Sequence, residues 1–185
     1  MRLSEGMPAV DFSVTDIHGN NIKLSNYVGK KVILSFLRHV NCPYCNVRVH
    51  KLIGNVVRLQ RSGVQMILFF ENSNEKLLQS VLHKGVSPFP IIGDPEKKVY
   101  NQYGVQSSVI KMLSTFITAN NREIVSLAKT LETPKEKDEK ITNSLIPADF
   151  FIDENLKIVK AHYGKNIDDH VTIDEVLKFA GVLTF

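Results

Sequence analysis

Two stretches of the chain are almost continuously apolar and rich in β-branched and aromatic residues. They span residues 31–38 (KVILSFLR) and 64–70 (VQMILFF), and a glycine closely precedes each of them. Short runs of this kind are typical of strands that are buried on both faces of a sheet. We therefore predict two core strands here.

The pattern changes to helical spacing between Pro43 and Gly63. Polar residues cover the side opposite the apolar positions, which are Val49, Leu52, Ile53, Val56 and Val57. This periodicity predicts one long helix, and Gly63 is expected to end it in the left-handed conformation. Shorter signals predict a helix over 74–84, a strand over 89–92 and a helix over 95–103.

The carboxyl-terminal part of the chain alternates between helical and strand-like patterns. Residues 107–144 have apolar positions at helical spacing, which predict one or two inserted helices, with a mobile connector over 133–140. Residues 148–153 and 157–162 predict an antiparallel hairpin whose two-residue turn is Glu154–Asn155.

The order of these elements predicts an α/β fold. Thr172 and Glu175 have the spacing of a capping box at the start of a closing helix. Strands alternate with helices before the hairpin, so we expect a mixed central sheet with helices on both faces. The 185 residues suit a single domain over 1–185, with a helical insert at 107–144 before the last hairpin.

Composition and charge favour an ordinary globular protein. Apolar residues make up 43% and charged residues 23% of the chain, and the net charge of +4 is spread without a basic cluster that would bind nucleic acid. No stretch is apolar enough for a membrane span, and the amino-terminal residues contain acid and proline in place of a secretory signal. We expect a cytoplasmic protein without a nucleic-acid or membrane partner.

The two cysteines of the chain, Cys42 and Cys45, lie at the start of the first predicted helix. A bridge between them would close so short a loop that it would stabilise the fold little. The pair therefore favours a chemical role over a structural one. Because positions three apart share a helix face, the sulfur of Cys45 is expected to reach that of Cys42.

A helix start favours an ionised Cys42. Unpaired backbone N–H groups and the helix dipole stabilise an anion there, and Pro43 suits the first helical position. We predict that Cys42 is a nucleophile reachable from solvent and that Cys45 resolves its oxidised or mixed-disulfide state. Nearby basic side chains would lower the pKa of Cys42 further if they face the sulfur; these are Arg38, His39, Arg48 and His50.

One alternative to redox chemistry is that both cysteines are buried residues without a chemical role, and two others are a metal site and a binding module. A metal site of the zinc type usually needs a second cysteine pair or two well-spaced histidines, and only His39 and His50 are near enough to complete one. The chain would otherwise be a non-enzymatic binding module that holds a partner at the cysteine edge. His162 and His170 are expected to have structural roles, and no cofactor is predicted.

Several motifs in order give the chain a resemblance to a known family. A strand that leads into Cys-Pro-Tyr-Cys on a helix, with Ile146-Pro147 before a later strand, resembles the thioredoxin fold. Segments 6–12 (GMPAVDF), 89–95 (FPIIGDP) and 103–105 (YGV) resemble the framework of the AhpC/TSA peroxiredoxins. The stretches FLRHVNCPYCNVRVHKL and IPADFFIDENLKIVKAHYG resemble its peroxiredoxin-like subgroup.

The resemblance covers nearly the whole chain and implies a thioredoxin-like fold and a thiol oxidoreductase acting on disulfides or peroxides. Tyr44, which lies within the motif, is expected to assist the two cysteines. In the family, the proline before the late strand is cis and packs beside the sulfurs, so Pro147 is expected to leave the backbone of Ile146 and Ala148 facing a substrate. The partners expected are a thiol reductant such as thioredoxin, glutaredoxin or glutathione, and a second copy of the chain in a homodimer, for which the insert 107–144 is a candidate contact.

The chain departs from true peroxiredoxins around the nucleophile. Those enzymes have a proline and a threonine where this chain has Ser35 and His39, and an arginine where Pro147 stands. Because the threonine and arginine polarise the peroxide in those enzymes, we expect inefficient peroxidase activity. This departure favours disulfide reduction, whereas the whole-chain resemblance favours peroxide reduction. Arg38 would take the place of the missing arginine if it reached the sulfur.

Overall fold

The computed structural model describes residues 1–80, 89–118, 121–131 and 141–182. A two-stranded sheet pairs β1 (Ser13–Thr15) with β2 (Asn21–Lys23). A larger sheet contains β3 (Val32–Phe36), β4 (Gln65–Phe70), β5 (Ile91–Gly93), β6 (Ala148–Ile152) and β7 (Ile158–Tyr163). The helices are α1 (Pro43–Ile53), α2 (Val56–Arg61), α3 (Asn74–Leu78), α4 (Lys98–Gln102), α5 (Val109–Thr118), α6 (Asn121–Thr130) and α7 (Ile173–Phe179).

Strand β3 lies at the centre of the larger sheet, whose strand order is β5-β4-β3-β6-β7. It runs parallel to β4 and antiparallel to β6, and all of its residues are buried. The prediction of a mixed sheet is therefore confirmed, and the two predicted core strands are neighbours. Because β3 is central, the loop from its carboxyl end to α1 begins at the middle of the sheet edge.

The two faces of the sheet carry separate apolar cores. Side chains alternate along β3, so Ile33 faces the core that contains residues of α1, α2 and α7, while Phe36 faces the core that contains residues of α4. On this second face, Phe36 stacks on Phe69 with ring centroids 4.9 Å apart. Helices thus lie on both faces, as predicted, and α1 is held against the sheet by its apolar side.

The helix predicted from Pro43 to Gly63 is divided into α1 and α2. The break lies at Gly54 and Asn55, and the Asn55 side chain donates to the Lys51 carbonyl at 3.0 Å. Glycine has a low helix propensity, and asparagine competes with the backbone for hydrogen bonds, which explains the interruption. Gly63 has φ +80°, so its predicted left-handed conformation is confirmed.

The predicted carboxyl-terminal hairpin is present as β6 and β7, but its turn is longer than predicted. The Asp153 N–H donates to the Lys157 carbonyl at 2.9 Å, which leaves three residues in the loop. Leu156 adopts φ +59°, the left-handed position expected in a three-residue hairpin loop. The Asp153 carboxylate accepts from the backbone of Asn155 and Lys157, and these bonds stabilise the longer turn.

The other predicted elements are present with shifted ends. The helix predicted over 74–84 begins as α3, and residues 81–88 lie outside the described part of the chain. The insert region 107–144 contains α5 and α6, whereas the predicted connector over 133–140 lies outside the described residues. None of the described helices is long and apolar enough to cross a membrane.

The closing helix α7 begins with the predicted capping box. The Thr172 side chain accepts from the Glu175 N–H at 3.2 Å, and the Glu175 carboxylate accepts from the Thr172 N–H at 2.8 Å. These reciprocal bonds fix where α7 starts, and with it the course of the segment just before it.

Candidate active site

Cys42 and Cys45 lie at the amino-terminal end of α1, as predicted. Cys42 is the N-cap residue, and its carbonyl accepts from the Asn46 N–H at 3.0 Å. Pro43 is the first helical residue, where the lack of an N–H leaves nothing unpaired. Both cysteines are free thiols, and their side chains are hydrogen-bonded to each other. The predicted reach between the two sulfurs is therefore confirmed.

Arg38 contacts both sulfurs from the loop that follows β3. Its Nη1 atom donates to the Cys42 Sγ at 3.0 Å, and its backbone N–H donates to the Cys45 Sγ at 3.4 Å. The Arg38 carbonyl accepts from the Glu71 N–H at 2.8 Å, which fixes the loop backbone to the end of β4. Because Arg38 is only 5% exposed, water and salt screen its charge little, and the guanidinium stabilises negative charge on Cys42.

The two thiols have pKa values shifted in opposite directions. Burial raises the pKa of Cys42, but the hydrogen bond with Cys45 and the charge of Arg38 outweigh it and lower the pKa to about 7. Burial and the hydrogen bond and charge of Cys42 raise the pKa of Cys45 well above its usual value. Cys42 is therefore the thiol that ionises first, which supports the nucleophile assignment.

The prediction that Cys42 is reachable from solvent is wrong for this reduced form: Cys42 and its partner thiol are each 1% exposed. The Arg38 Nη2 atom donates to the Asn143 carbonyl, so the guanidinium joins the sulfur to the segment that precedes β6. In the same segment, the Thr142 N–H donates to the buried Glu71 carboxylate at 3.0 Å. Because the Cys42 sulfur is buried, a substrate reaches it only after neighbouring groups move.

Pro147 is buried directly before β6, and the cis form of its peptide bond stays a prediction. The expectation that the Ile146 backbone faces a substrate is wrong for its N–H, which donates to the Gln106 carbonyl at 3.1 Å. Ala148 lies within the sheet, between β3 and β7. The Ile146 N–H and the Ala148 backbone are therefore paired with neighbouring segments, whereas we expected them to face a substrate.

His39 precedes the cysteine motif and Tyr44 lies within it, and both are buried. The His39 carbonyl accepts from the Cys42 N–H at 2.9 Å, so this residue shapes the turn that leads into α1. Burial raises the pKa of the Tyr44 phenol, and the charges of Asp168 and Cys42 raise it further. Tyr44 therefore lies in the electrostatic field of both the cysteine site and the segment before α7.

Two basic residues of α1, His50 and Arg48, have different surroundings. His50 is exposed on the helix surface. Arg48 is buried, and its Nη1 atom donates to the Val171 carbonyl at 2.7 Å. Burial lowers the pKa of Arg48, and the charges of three carboxylates, Asp149, Glu175 and Asp168, oppose this shift. The sequence suggested Arg38, His39, Arg48 and His50 as basic side chains near Cys42. The structure shows that Arg38 donates a hydrogen bond to the Cys42 sulfur.

Asp149 is the centre of a buried polar network that was not predicted. Its carboxylate accepts from the Ser35 Oγ at 2.5 Å and from the Val171 N–H at 3.0 Å, and it lies 2.9 Å from the His170 Nδ1. Burial raises the pKa of Asp149, but the charge and hydrogen bond of His170, with Arg48 and Ser35, hold it well below its usual range. The network joins the sheet, α1 and the segment before α7.

The sequence does carry one signal of this network. Asp149 lies inside a strand predicted to be buried, and a carboxylate in such a place needs partners. Its partners Ser35 and His170 lie on other elements, so spacing along the chain does not identify them. Among the described residues, no group of three or more His, Cys, Asp or Glu side chains is placed to hold a metal ion.

We predict that reduced protein titrates at the Cys42 thiol near neutral pH, whereas free cysteine titrates near pH ~8.5. The ultraviolet absorbance of the thiolate, followed against pH, measures this transition directly and does not depend on access to the sulfur. Arg38→Ala removes the guanidinium charge and should raise the pKa by about one unit, which lowers the thiolate fraction at neutral pH several-fold.

Two controls accompany this titration. Cys42→Ser should remove the neutral transition entirely, because burial still raises the pKa of Cys45 when Cys42 is absent. Arg38→Lys keeps a positive charge and should give an intermediate pKa. A transition that stays near neutrality in Arg38→Ala would show that the guanidinium does not activate the thiol.

Known proteins resemble this chain over most of its length. The profile of the AhpC/TSA family matches residues 6–161. The putative peroxiredoxin Rv2521 of Mycobacterium tuberculosis is 25% identical over 170 residues, which cover 92% of this chain and 91% of that protein. The thiol-disulfide oxidoreductase ResA of Halalkalibacterium halodurans is 29% identical over 125 residues, 66% of each protein.

A solved structure supports the fold independently. The crystal structure of peroxidoxin BcpB from Mycobacterium tuberculosis superposes with a TM-score of 0.67 over 97% of both chains. The identity is 15%, so this likeness concerns the fold alone. The predicted thioredoxin-like α/β architecture is confirmed.

Proposed function

Because this chain belongs to the AhpC/TSA family and is a thiol-dependent oxidoreductase, we propose that Cys42 is its nucleophile, Cys45 its resolving thiol and Arg38 the residue that activates Cys42. The observation that carries this proposal is the 3.0 Å contact between the Arg38 guanidinium and the Cys42 sulfur at the start of α1. A cation and a helix amino terminus both favour the thiolate over the thiol.

Disulfide reduction is the reaction that this arrangement favours. The Cys42 thiolate attacks one sulfur of a substrate disulfide, a mixed disulfide forms, and the other substrate sulfur leaves as a thiolate that takes up a proton. Cys45 then loses its proton and attacks the Cys42 sulfur, which forms the internal disulfide and releases the second substrate thiol. The Cys45 thiol already makes a hydrogen bond to Cys42, so the second step needs little rearrangement.

Peroxide reduction is the second candidate, favoured by the peroxiredoxin name of the relative Rv2521. The Cys42 thiolate would attack one peroxide oxygen, break the O–O bond, and form a sulfenic acid with release of water or an alcohol. Cys45 would then form the disulfide with loss of water. The Arg38 guanidinium lies beside the Cys42 sulfur, where it would also polarise the peroxide. It would thus replace the arginine that true peroxiredoxins have at the position of Pro147.

Either cycle ends with an oxidised Cys42–Cys45 pair, which two electrons from a thiol reductant must restore. We propose thioredoxin, glutaredoxin or glutathione as the donor class, because each exchanges thiols with disulfides. A cytoplasmic location and a homodimer remain part of the proposal. Their tests are the subcellular fractionation of the natural protein and the measurement of its mass in solution.

Stopped-flow kinetics of the reduced protein distinguishes the two reactions. We expect rapid turnover of a model disulfide, and oxidation by hydrogen peroxide at a rate close to that of the free cysteine thiolate. The reason is that the threonine of true peroxiredoxins is replaced by His39. A peroxide rate orders of magnitude above that of free cysteine, without disulfide turnover, would make peroxidase the function. Neither reaction above background would overturn both candidates.

A further inference from the structure

A cavity of about 660 Å³ lies between α1 and the segment that leads into α7. This volume is within the range of sites for small organic ligands. Its lining is partly apolar, from Val47, Val171 and Ile173, and partly polar, from Arg48 and His170 among others. Tyr44 also lines it, so the cavity borders the cysteine motif.

Two buried nitrogen atoms of the lining residues have no hydrogen-bond partner among the described residues. They are the Nε of Arg48 and the Nε2 of His170. Arg48 is 7% exposed and the His170 side chain 6% exposed, so water does not satisfy them freely. A buried polar atom without a partner is costly, which makes these atoms candidates for contact with a ligand.

The same anchor holds both side chains. Arg48 donates to the Val171 carbonyl, the Val171 N–H donates to Asp149, and the His170 Nδ1 bonds the same Asp149 carboxylate oxygen. Since Asp149 occupies the Nδ1 of His170, Nε2 is the ring nitrogen left for a ligand, and it donates when both ring nitrogens carry hydrogen. The Arg48 guanidinium and this imidazole, fixed side by side, form a preorganised place for an anion.

The outer part of the cavity has charges of both signs. Lys51 and His50 are exposed on the α1 side, and Asp168 and Asp174 lie on the opposite side. The two acids lie in the same lining, so the cavity as a whole is not strongly cationic. The buried Arg48 cation and the neighbouring His170 ring therefore favour one localised negative group. The apolar lining suits this group better if it belongs to an organic molecule.

We propose that this cavity binds the carboxylate of a small organic molecule, and that it thereby selects carboxylate-bearing disulfides or thiols as partners of the cysteine pair. The carboxylate would accept hydrogen bonds from Arg48 and His170, and the apolar lining would contact the carbon skeleton. The binding part stands by itself. The selection of redox partners rests on the proposed function.

Binding is tested on a protein in which both cysteines are replaced by serine, so that no redox step occurs. Benzoate is the probe and benzamide is its neutral counterpart of nearly the same shape. We expect benzoate to bind at least about tenfold more tightly than benzamide, because a charged hydrogen bond is lost with the amide. Proton NMR should show benzoate shifting the ring signals of His170 and not those of His162, which bonds Asp169 outside the cavity lining.

His170→Asn is the decisive variant. The asparagine amide occupies the place of Nδ1 and keeps a bond to Asp149, whereas nothing replaces Nε2 in the cavity. We expect an affinity for benzoate reduced about tenfold or more with the fold retained, while the matched variant His162→Gln leaves the affinity unchanged. Arg48→Lys is a second variant, which keeps the positive charge and loses Nε, so it should weaken the binding of benzoate. It replaces His170→Asn in this test if that variant does not fold.

The redox arm compares an anionic aromatic disulfide with a neutral one in the protein with intact cysteines. We expect a KM for the anionic disulfide that rises about tenfold in His170→Asn, with kcat little changed and the neutral disulfide unaffected. Equal binding of benzoate and benzamide, or unchanged affinity in His170→Asn, would overturn the carboxylate site. Binding without any effect on disulfide preference would overturn the selection of partners. Absence of all turnover would instead contradict the proposed function, and the binding result would still decide the site.

Discussion

Replacement of Cys42 by serine should reduce both disulfide turnover and peroxide consumption to the background rate. Serine keeps the size of the side chain, but its hydroxyl is not ionised at neutral pH and does not form a disulfide. The loss should be several orders of magnitude in kcat/KM, as is usual when a nucleophile is removed. A coupled assay that follows oxidation of the thiol reductant measures it.

Cys45→Ser is the matched variant for this prediction. It keeps the nucleophile and removes the resolving thiol, so the first chemical step should proceed and the cycle should stop there. Mass spectrometry should then find a mixed disulfide or a sulfenic acid on Cys42. If Cys45→Ser lost the first step while Cys42→Ser kept it, the roles of the two cysteines would be reversed.

Replacement of Asp149 by alanine should cause the largest loss of stability. Its carboxylate is the shared acceptor for Ser35, Val171 and His170, and it is a negative charge near the buried Arg48. Breaking a buried ionic network on one side typically costs about 3–5 kcal/mol, because it leaves an uncompensated charge. For a chain of this size we expect Tm to fall by roughly 10 °C, measured by calorimetry or circular dichroism.

The pH dependence of this stability has a definite sign. The pKa of Asp149 is lower in the folded protein than in the unfolded chain, so the unfolded state binds more protons once the pH falls toward the usual aspartate value. The stabilisation is complete above about pH 4 and is lost as the pH falls through the folded pKa. Asp149→Ala should remove part of this acid sensitivity. Glu154→Ala, at an exposed turn position, should change the free energy of unfolding by less than about 0.5 kcal/mol.

The burial of Cys42 links the stability of the site to its reactivity. The reduced thiol is ionised easily and yet covered, because the same Arg38 side chain that lowers its pKa also bonds the segment at Asn143. A substrate that carries negative charge would compete for this guanidinium. Reaction and opening of the site are therefore expected to be coupled through Arg38.

The sequence alone determined the central strands, the position of α1 and the cysteine pair at its start. These features depend on local periodicity and on groups three positions apart, where a helix fixes the geometry whatever surrounds it. The sequence predicted less accurately where a helix is interrupted and how many residues a turn contains. Examples are the break at Gly54 and Asn55 and the extra residue in the turn before Lys157.

The tertiary structure decided which polar groups meet. Arg38 and Asn143 are 105 positions apart, and Ser35 and Asp149 are 114 positions apart, so no spacing in the chain specifies either contact. Packing of the sheet against α1 and the segment before α7 brings these groups together. The charge of Arg38, removed from water, then lowers the pKa of Cys42. The same packing buries the nucleophile and leaves the Arg48 Nε and His170 Nε2 without a partner among the described residues.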